Sequence, residues 1–183
     1  MTDINNVYLI ACKNNYNDII DNINLLEIDE NIINDSLKLI VINNNINLLN
    51  KLYDYNLIKS INNLLFIAVD YDNLNILEWL HNKYDINEHI DKIINYIIIN
   101  KKYTILNWLH KNNYYIKNYI NYILDACNCL DFNTLYWFRD NGYLDKFYNK
   151  IIKNNKDWIS YYKLNHHAKA IIDWFDDNYK FID

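Results

Sequence analysis

Cysteine and histidine are the residues of this chain whose chemistry suits a metal ion. Cys127 and Cys129 lie two positions apart. The adjacent pair His166 and His167 does not complete a known zinc-ligand spacing with them. Adjacent histidines also point to different sides of a helix, which works against a shared ion. We therefore expect no metal site and no bound cofactor.

The residues that could carry catalysis are few. Ser36, Ser60 and Ser160 are the serines of the chain, and none lies in a nucleophile-elbow motif. Gly142 is the one glycine, so a glycine-rich phosphate-binding loop cannot form. We expect a non-enzymatic protein without catalytic residues and without a small-molecule substrate.

The charge balance bears on the class of partner. Lysine and arginine number 18 against 23 acidic residues, a formal net charge of −5. Nucleic-acid binding usually needs a dense basic face, whereas the lysines here are scattered among acidic residues. Nucleic acid is therefore not an expected partner.

Three features indicate an intracellular protein. The cysteines, Cys12, Cys127 and Cys129, are odd in number and have no disulfide spacing, as is typical of a reducing compartment. The first residues are polar and acidic, unlike a secretory signal. The apolar run Ile93–Ile99 is too short to cross a bilayer. We expect a soluble cytoplasmic protein that does not bind membranes.

The composition favours helices as the elements that position every side chain. Hydrophobic residues make up 51% of the chain, proline is absent and glycine occurs once. Sheets and tight turns usually need glycine and proline, whereas both residues break helices. The sequence therefore predicts an all-α protein.

A repeat organises the helices. Trp79, Trp108 and Trp137 follow one another at intervals of 29 residues, each within the same short phrase. Earlier copies begin near Asp18 and Asn47 but lack the tryptophan, and a last copy, with Trp174, follows an insertion around Asp157–His167 that we interpret as part of a cap. A tryptophan at a fixed repeat position is typical of packing between neighbouring repeats.

A second repeated position lies eleven residues before the tryptophan position. We call it the alanine slot; it holds Ala11, Ile40, Ala68, Ile97 and Ala126. Apolar residues recur at helical spacing on both sides of it, so each repeat consists of two short amphipathic helices. Five residues after the tryptophan position, where the second helix should end, the chain has residues that tolerate a left-handed backbone. These residues are Asn56, Asn113 and Gly142, while Tyr84 departs from the rule.

Helix pairs this short cannot bury an apolar face alone, so we expect them to stack around one continuous core. The prediction is a single domain covering residues 1–183. Its repeats span approximately 5–33, 34–61, 62–90, 91–119, 120–148 and 149–183, the last with a C-terminal cap.

The repeat resembles the ankyrin repeat. The segments Leu65–Val69, Leu74–His81 and Asp85–Asn87 follow the ankyrin order of a first helix, a second helix and an Asp-x-Asn ending. The period is shorter than the usual 33 or so, and the Gly-x-Thr-Pro-Leu-His finger is missing. The resemblance implies an all-α solenoid of ankyrin-like repeats with shortened or missing β-turn fingers. A different α-solenoid of helical hairpins is the alternative. The Trp-Leu-His ending, together with the abundance of residues that have AT-rich codons, such as Asn, Ile and Tyr, resembles ankyrin proteins of giant DNA viruses. If the protein is viral, we expect it in the host cytoplasm or the virion.

The resemblance also implies a function. Ankyrin stacks bind other proteins through their loops and the exposed positions near the end of each first helix. We therefore expect a protein–protein interaction module, an adaptor or scaffold for a viral or host protein. The alternative is a structural subunit of a viral particle or larger assembly. The positions carried over are Phe66, Asp70, Tyr71, Asn95, Asn100, Tyr114, Tyr115, Leu124 and Asn128.

Overall fold

The fold consists of helices joined by short turns. The structure is a computed structural model that describes residues 3–147 and 168–178, which leaves the region around Asp157–His167 and Ser160 outside the described residues. Every regular element in the described ranges is a helix, and the predicted all-α class is confirmed. The α-helices are α1 (Ile4–Asn14), α2 (Asn17–Asp21), α3 (Glu30–Ile42), α4 (Ile46–Asp54), α5 (Ile61–Asp70), α6 (Leu74–Lys83), α7 (Asn87–Ile99), α8 (Tyr103–Lys111), α9 (Tyr119–Asn128), α10 (Phe132–Asp140), α11 (Tyr143–Phe147) and α12 (Ala168–Asn178), with a 3-10 turn at Leu25–Glu27.

Contacts group the chain into two compact units. The N-terminal unit is Met1–Ile93 and the C-terminal unit is Ile94–Asp183, so the boundary falls within α7. In the N-terminal unit α1 packs against α2 and α3, α3 against α4 and α5, and α5 against α6. In the C-terminal unit α9, α10 and α11 pack against one another. A single repeat domain over residues 1–183 stays a prediction.

The turn between the paired helices has the same hydrogen bond in successive repeats. The carbonyl oxygen of each alanine-slot residue accepts a bond from the backbone N–H five residues later; for Ala68 and Asn73 the N···O distance is 2.9 Å. The residue before this donor has a left-handed backbone, with φ of 52° at Asp72. This is the 6→1 closure of a Schellman motif, which ends a helix without proline or glycine. The same left-handed position is taken by Asn15, Asn44, Lys101 and Leu130.

The donor of that bond also begins the next helix. Asn73 is the N-cap of α6, and its side-chain oxygen accepts from the backbone N–H of Ile76 at 3.2 Å. Asn45 and Asp131 cap α4 and α10 in the same way. One residue therefore closes the first helix and opens the second, which explains why the turn is so short.

The turn that follows the second helix was predicted to be left-handed at three positions, and the structure confirms all three. The φ angles are 55° at Asn56, 61° at Asn113 and 73° at Gly142. Tyr84, the predicted exception, is extended with a φ of −136°.

Candidate binding surface

The tryptophans of the repeat lie inside the fold. Trp79, Trp108 and Trp137 are buried, each less than a tenth exposed. The indole N–H of Trp79 donates to the side-chain oxygen of Asn50 at 2.8 Å, and that of Trp137 donates to Asn107 at 2.6 Å. In both cases the acceptor belongs to the preceding repeat, one residue before its own tryptophan position. The tryptophans thus join neighbouring second helices and present no ladder of exposed indoles.

A side-chain contact between neighbouring second helices also exists where another residue occupies the tryptophan position. Lys51 occupies the tryptophan position of the second repeat, and its ammonium pairs with the carboxylate of Asp21 in the repeat before. Trp174, on α12, lacks the indole hydrogen bond of Trp79 and Trp137, because its buried Nε1 has no hydrogen-bond partner within the described ranges. The preceding repeat has Tyr136 where an amide would stand, and the two rings meet edge to face at 5.3 Å.

The predicted contact residues differ in exposure. Phe66 and Tyr71 are 38% and 42% exposed, and Tyr115 is 50% exposed. Leu124 is half-buried at the middle of α9. The remaining polar positions are exposed as expected; they are Asp70, Asn95, Asn100 and Asn128.

The predicted exposure of Tyr114 is wrong. This residue is only 8% exposed, and its ring stacks on Trp108 with centroids 5.9 Å apart. The reason is the left-handed backbone of Asn113, which turns the chain back so that the Tyr114 N–H donates to the Leu109 carbonyl at 2.9 Å. Tyr115, in contrast, is exposed, and the ammonium of Lys146 lies 5.3 Å from its ring centroid.

Two exposed isoleucines extend the predicted surface of the N-terminal unit. Ile10 and Ile42 are 57% and 48% exposed on α1 and α3, the helices that precede α5 in the row of first helices. Ile42 and Tyr71 line one cavity of about 420 Å³, and Lys38 places its ammonium 5.6 Å from the Tyr71 ring centroid. We call the exposed side of α1, α3 and α5, with its residues Ile10, Lys38, Ile42, Phe66, Asp70 and Tyr71, the first-helix face.

Sequence reasoning missed Ile10 and Ile42, although a signal existed. Both lie next to their alanine slots, one residue before Ala11 and two residues after Ile40, on the side of the helix opposite the buried residues. A solvated helix face usually has polar residues there. An aliphatic residue at such a position was therefore the available sign.

The C-terminal unit has an apolar groove at the end of α7. Ile99 is 66% exposed there, and the groove has a volume of about 260 Å³. The ion pair between Lys101 and Asp131, at 3.3 Å, lies along it. Of the predicted contact residues, Asn95 lines this groove.

The hydroxyl of Ser36 and the thiols of Cys12 and Cys127 are buried. The hydroxyl of Ser36 donates to the carbonyl of Ile33 at 2.7 Å and lies 3.0 Å from the hydroxyl of Tyr8. Burial raises the pKa of Cys12 to about 11 and that of Cys127 to about 12. Both thiols are therefore protonated at neutral pH, and only a thiolate is a strong nucleophile.

Ser60 and the metal-binding residue types complete the candidates from the sequence. Ser60 is the N-cap of α5 and accepts from the backbone N–H of Asn63 at 3.2 Å. Within residues 3–147 and 168–178, no three Cys, His, Asp or Glu side chains are grouped so as to hold a metal ion. His166 and His167 lie outside those ranges.

Comparisons with known proteins give no match to a family model, to a curated protein or to a solved structure. None of the helices in the described part of the chain is both long and apolar enough to span a membrane.

Proposed function

We propose that the chain is a stack of ankyrin-like repeats that binds another protein through its first-helix face. The observation that carries this proposal is the exposure of four large apolar side chains on the first helices of one compact unit. Ile10, Ile42, Phe66 and Tyr71 are between 38% and 57% exposed. Exposed apolar side chains held by a rigid helical framework are the usual anchors of a protein–protein interface.

The charges around these anchors favour a protein partner that binds reversibly. Lys38 and Asp70, of opposite sign, lie among the apolar side chains on α3 and α5. A few apolar anchors within a polar rim are typical of reversible interfaces, whereas permanent subunits bury broader apolar faces. We therefore favour an intracellular adaptor or scaffold for a viral or host protein over a structural subunit of a viral particle or larger assembly.

The architecture behind the proposal rests on repeated local structure. The Schellman closure recurs in five repeats, and the residue that donates its bond also caps the next helix in three of them. In the N-terminal unit each first helix packs against the next, as α1 does with α3 and α3 with α5. Such a nearest-neighbour arrangement supports a solenoid, in which exposed helix positions form one extended surface.

Affinity capture with matched variants tests this function. We expect the tagged full-length chain to retain a protein from an extract of the cells that express it, and Ile42→Asp and Phe66→Asp to lose that protein. Leu26→Asp is the matched control, because Leu26 is 64% exposed in the 3-10 turn, outside the first-helix face.

Two outcomes would count against the proposal. Equal capture by the wild type and both face variants would mean that the first-helix face is not the contact. A large homogeneous assembly of the isolated chain, dispersed by either face variant, would instead support the structural-subunit alternative. Circular dichroism of each variant separates lost binding from lost folding.

A further inference from the structure

Three aromatic rings meet where the second helices of the N-terminal unit end. Tyr53, near the end of α4, lies edge to face with Trp79 at 5.9 Å and with Tyr84 at 5.5 Å between centroids. Trp79 and Tyr84 complete the triangle at 5.9 Å. Tyr84 reaches the other two rings because its backbone is extended, at the position where Asn56, Asn113 and Gly142 are left-handed.

A cavity of about 380 Å³ adjoins two of these rings. Its lining is Tyr53, Asp54, Asn56, Ile58 and Tyr84. Both tyrosines are half-buried, so each is supported by packing yet reaches solvent. Asp54 is exposed and makes no ion pair or side-chain hydrogen bond with any other described residue. The cavity thus combines aromatic rings with one carboxylate that has no ion-pair partner among the described residues.

Two ammonium groups of the chain itself contact residues that line this cavity. The Nζ of Lys83 is 4.8 Å from the centroid of the Tyr53 ring, within the range of a cation–π contact. The Nζ of Lys59 donates to the backbone carbonyl of Asn56 at 2.9 Å. The rings and the carbonyl therefore attract positive groups in the folded protein.

We propose that this cavity binds an alkylammonium group, with the rings of Tyr53 and Tyr84 and the carboxylate of Asp54 as its recognition elements. The negative faces of aromatic rings attract cations, and the carboxylate adds a full charge. An anion would be repelled by both elements. Lys83 is a competitor built into the chain, because its ammonium and an external one would share the Tyr53 ring.

This site is separate from the proposed first-helix face. It lies at the ends of α4 and α6, whereas that face is formed by α1, α3 and α5. A lysine side chain of a partner protein and a methylated ammonium present the same chemistry to the cavity. The binding experiment below uses separate probes to distinguish the lysine side chain from the methylated ammonium.

Binding to the full-length chain is measured by NMR from the ring protons of Tyr53 and Tyr84. The probes are tetramethylammonium, N-acetyl-lysine methylamide, its trimethylated form, and the neutral isostere with carbon in place of the charged nitrogen. We expect at least one ammonium probe to shift these signals saturably and the isostere to leave them unchanged. A response to the trimethylated probe alone would assign a methylated ammonium, and a response to the lysine probe would assign an unmodified side chain.

Substitutions give a second, independent test. Lys83→Ala removes the internal competitor, and we expect it to tighten binding about two- to fivefold, the range of one exposed cation–π contact. Asp54→Asn is expected to weaken binding by a similar factor. Tyr55→Leu is the matched control, because Tyr55 is exposed beside Asp54 but does not line the cavity.

The proposal is overturned if the neutral isostere binds as well as the trimethylated probe, or if no ammonium probe shifts the tyrosine signals. It is also overturned if Lys83→Ala, still folded by circular dichroism, weakens binding. None of these results bears on the first-helix face, so the two proposals stand or fall separately.

Discussion

Asparagine side chains satisfy many of the helix ends in this chain. The amides of Asn112, Asn141 and Asn178 each donate to the carbonyl four residues earlier, at 3.0, 2.8 and 2.8 Å. Those carbonyls lie near the ends of their helices, and those of Trp108 and Trp137 also accept from the backbone N–H of Asn112 and Asn141, at 3.0 and 3.1 Å. The same residue type caps helix starts at Asn45 and Asn73. One residue type thus serves both ends of the short helices.

A buried pair of hydroxyl groups at the contact of α1 and α3 gives the first prediction. Ser36 donates to Ile33, so the Tyr8 hydroxyl donates to Ser36. Ser36→Ala leaves that buried phenol without its main acceptor, at a cost of about 1–3 kcal/mol in the free energy of unfolding. Tyr8→Phe leaves Ser36 bonded to Ile33 and should cost only about 0.5–1.5 kcal/mol.

Urea unfolding of both single variants and of the double variant checks this order. Because the double variant has no orphaned hydroxyl, we expect its loss of stability to be smaller than the sum of the two single losses. Additive losses, or a larger loss for Tyr8→Phe, would contradict the assigned direction of the hydrogen bond.

The buried thiols make stability depend on pH in the alkaline range. Burial raises the pKa of Cys12 to about 11 and of Cys127 to about 12, from the ordinary value of 9.0. A raised pKa means that the unfolded chain loses these protons first. The contribution is therefore complete below pH 9 and is lost as pH rises towards the folded values, by about 1.4 kcal/mol per pH unit for each thiol.

Unfolding in urea at pH about 8 and about 10 measures this slope. We expect Cys127→Ala to flatten the slope even though it lowers stability at both values, because one titrating group is gone. Cys129→Ala is the matched control, since it replaces an exposed cysteine in the same part of the chain. An unchanged slope in Cys127→Ala would show that its thiol does not set the alkaline limit.

At the scale of the elements, the turn between paired helices depends on one residue with two roles. Asn73 accepts from the N–H of Ile76 as an N-cap, and its amide donates to the carbonyl of Val41, in the preceding repeat, at 2.7 Å. The first contact fixes the start of α6, and the second ties α6 to the end of α3. Local capping and packing between repeats therefore converge on one side chain.

Two substitutions at Asn73 separate these roles. Asn73→Asp keeps an acceptor for the cap but removes the donor to Val41, whereas Asn73→Ala removes both. We expect a loss of about 1 kcal/mol for Asp and about 2 kcal/mol for Ala, measured as the change in the free energy of unfolding. Equal losses would mean that the cap contributes nothing, an Asp variant as stable as the wild type would mean that the bond to Val41 contributes nothing, and a stabilised Ala variant would contradict both roles.

At the scale of the whole molecule, the sequence predicted the helical class and the local turns better than the surface. The absence of proline and the scarcity of glycine indicate helices because both residues disfavour the helical backbone wherever they occur. The left-handed conformations of Asn56 and Gly142 could be predicted because few residue types tolerate a left-handed backbone. The left-handed conformations of Lys101 and Leu130 could not be predicted, since neither residue type favours that conformation. The exposure of Tyr114 was mispredicted because it depends on the stacking of its ring on Trp108, which a left-handed residue at Asn113 does not by itself specify.

The proposed repeat architecture predicts that the loss of one side-chain contact between repeats destabilises only the helices next to it. Asn50→Ala removes the acceptor of the buried Trp79 indole, which costs about 1–3 kcal/mol. Lys51→Ala removes the exposed ion pair with Asp21 and should lower the free energy of unfolding by less than about 1 kcal/mol. Because repeats contact mainly their neighbours, Asn50→Ala should accelerate hydrogen exchange in α4 and α6 while the protection of α1 stays close to that of the wild type. Equal acceleration throughout the N-terminal unit would identify a single cooperative globule in place of a repeat array.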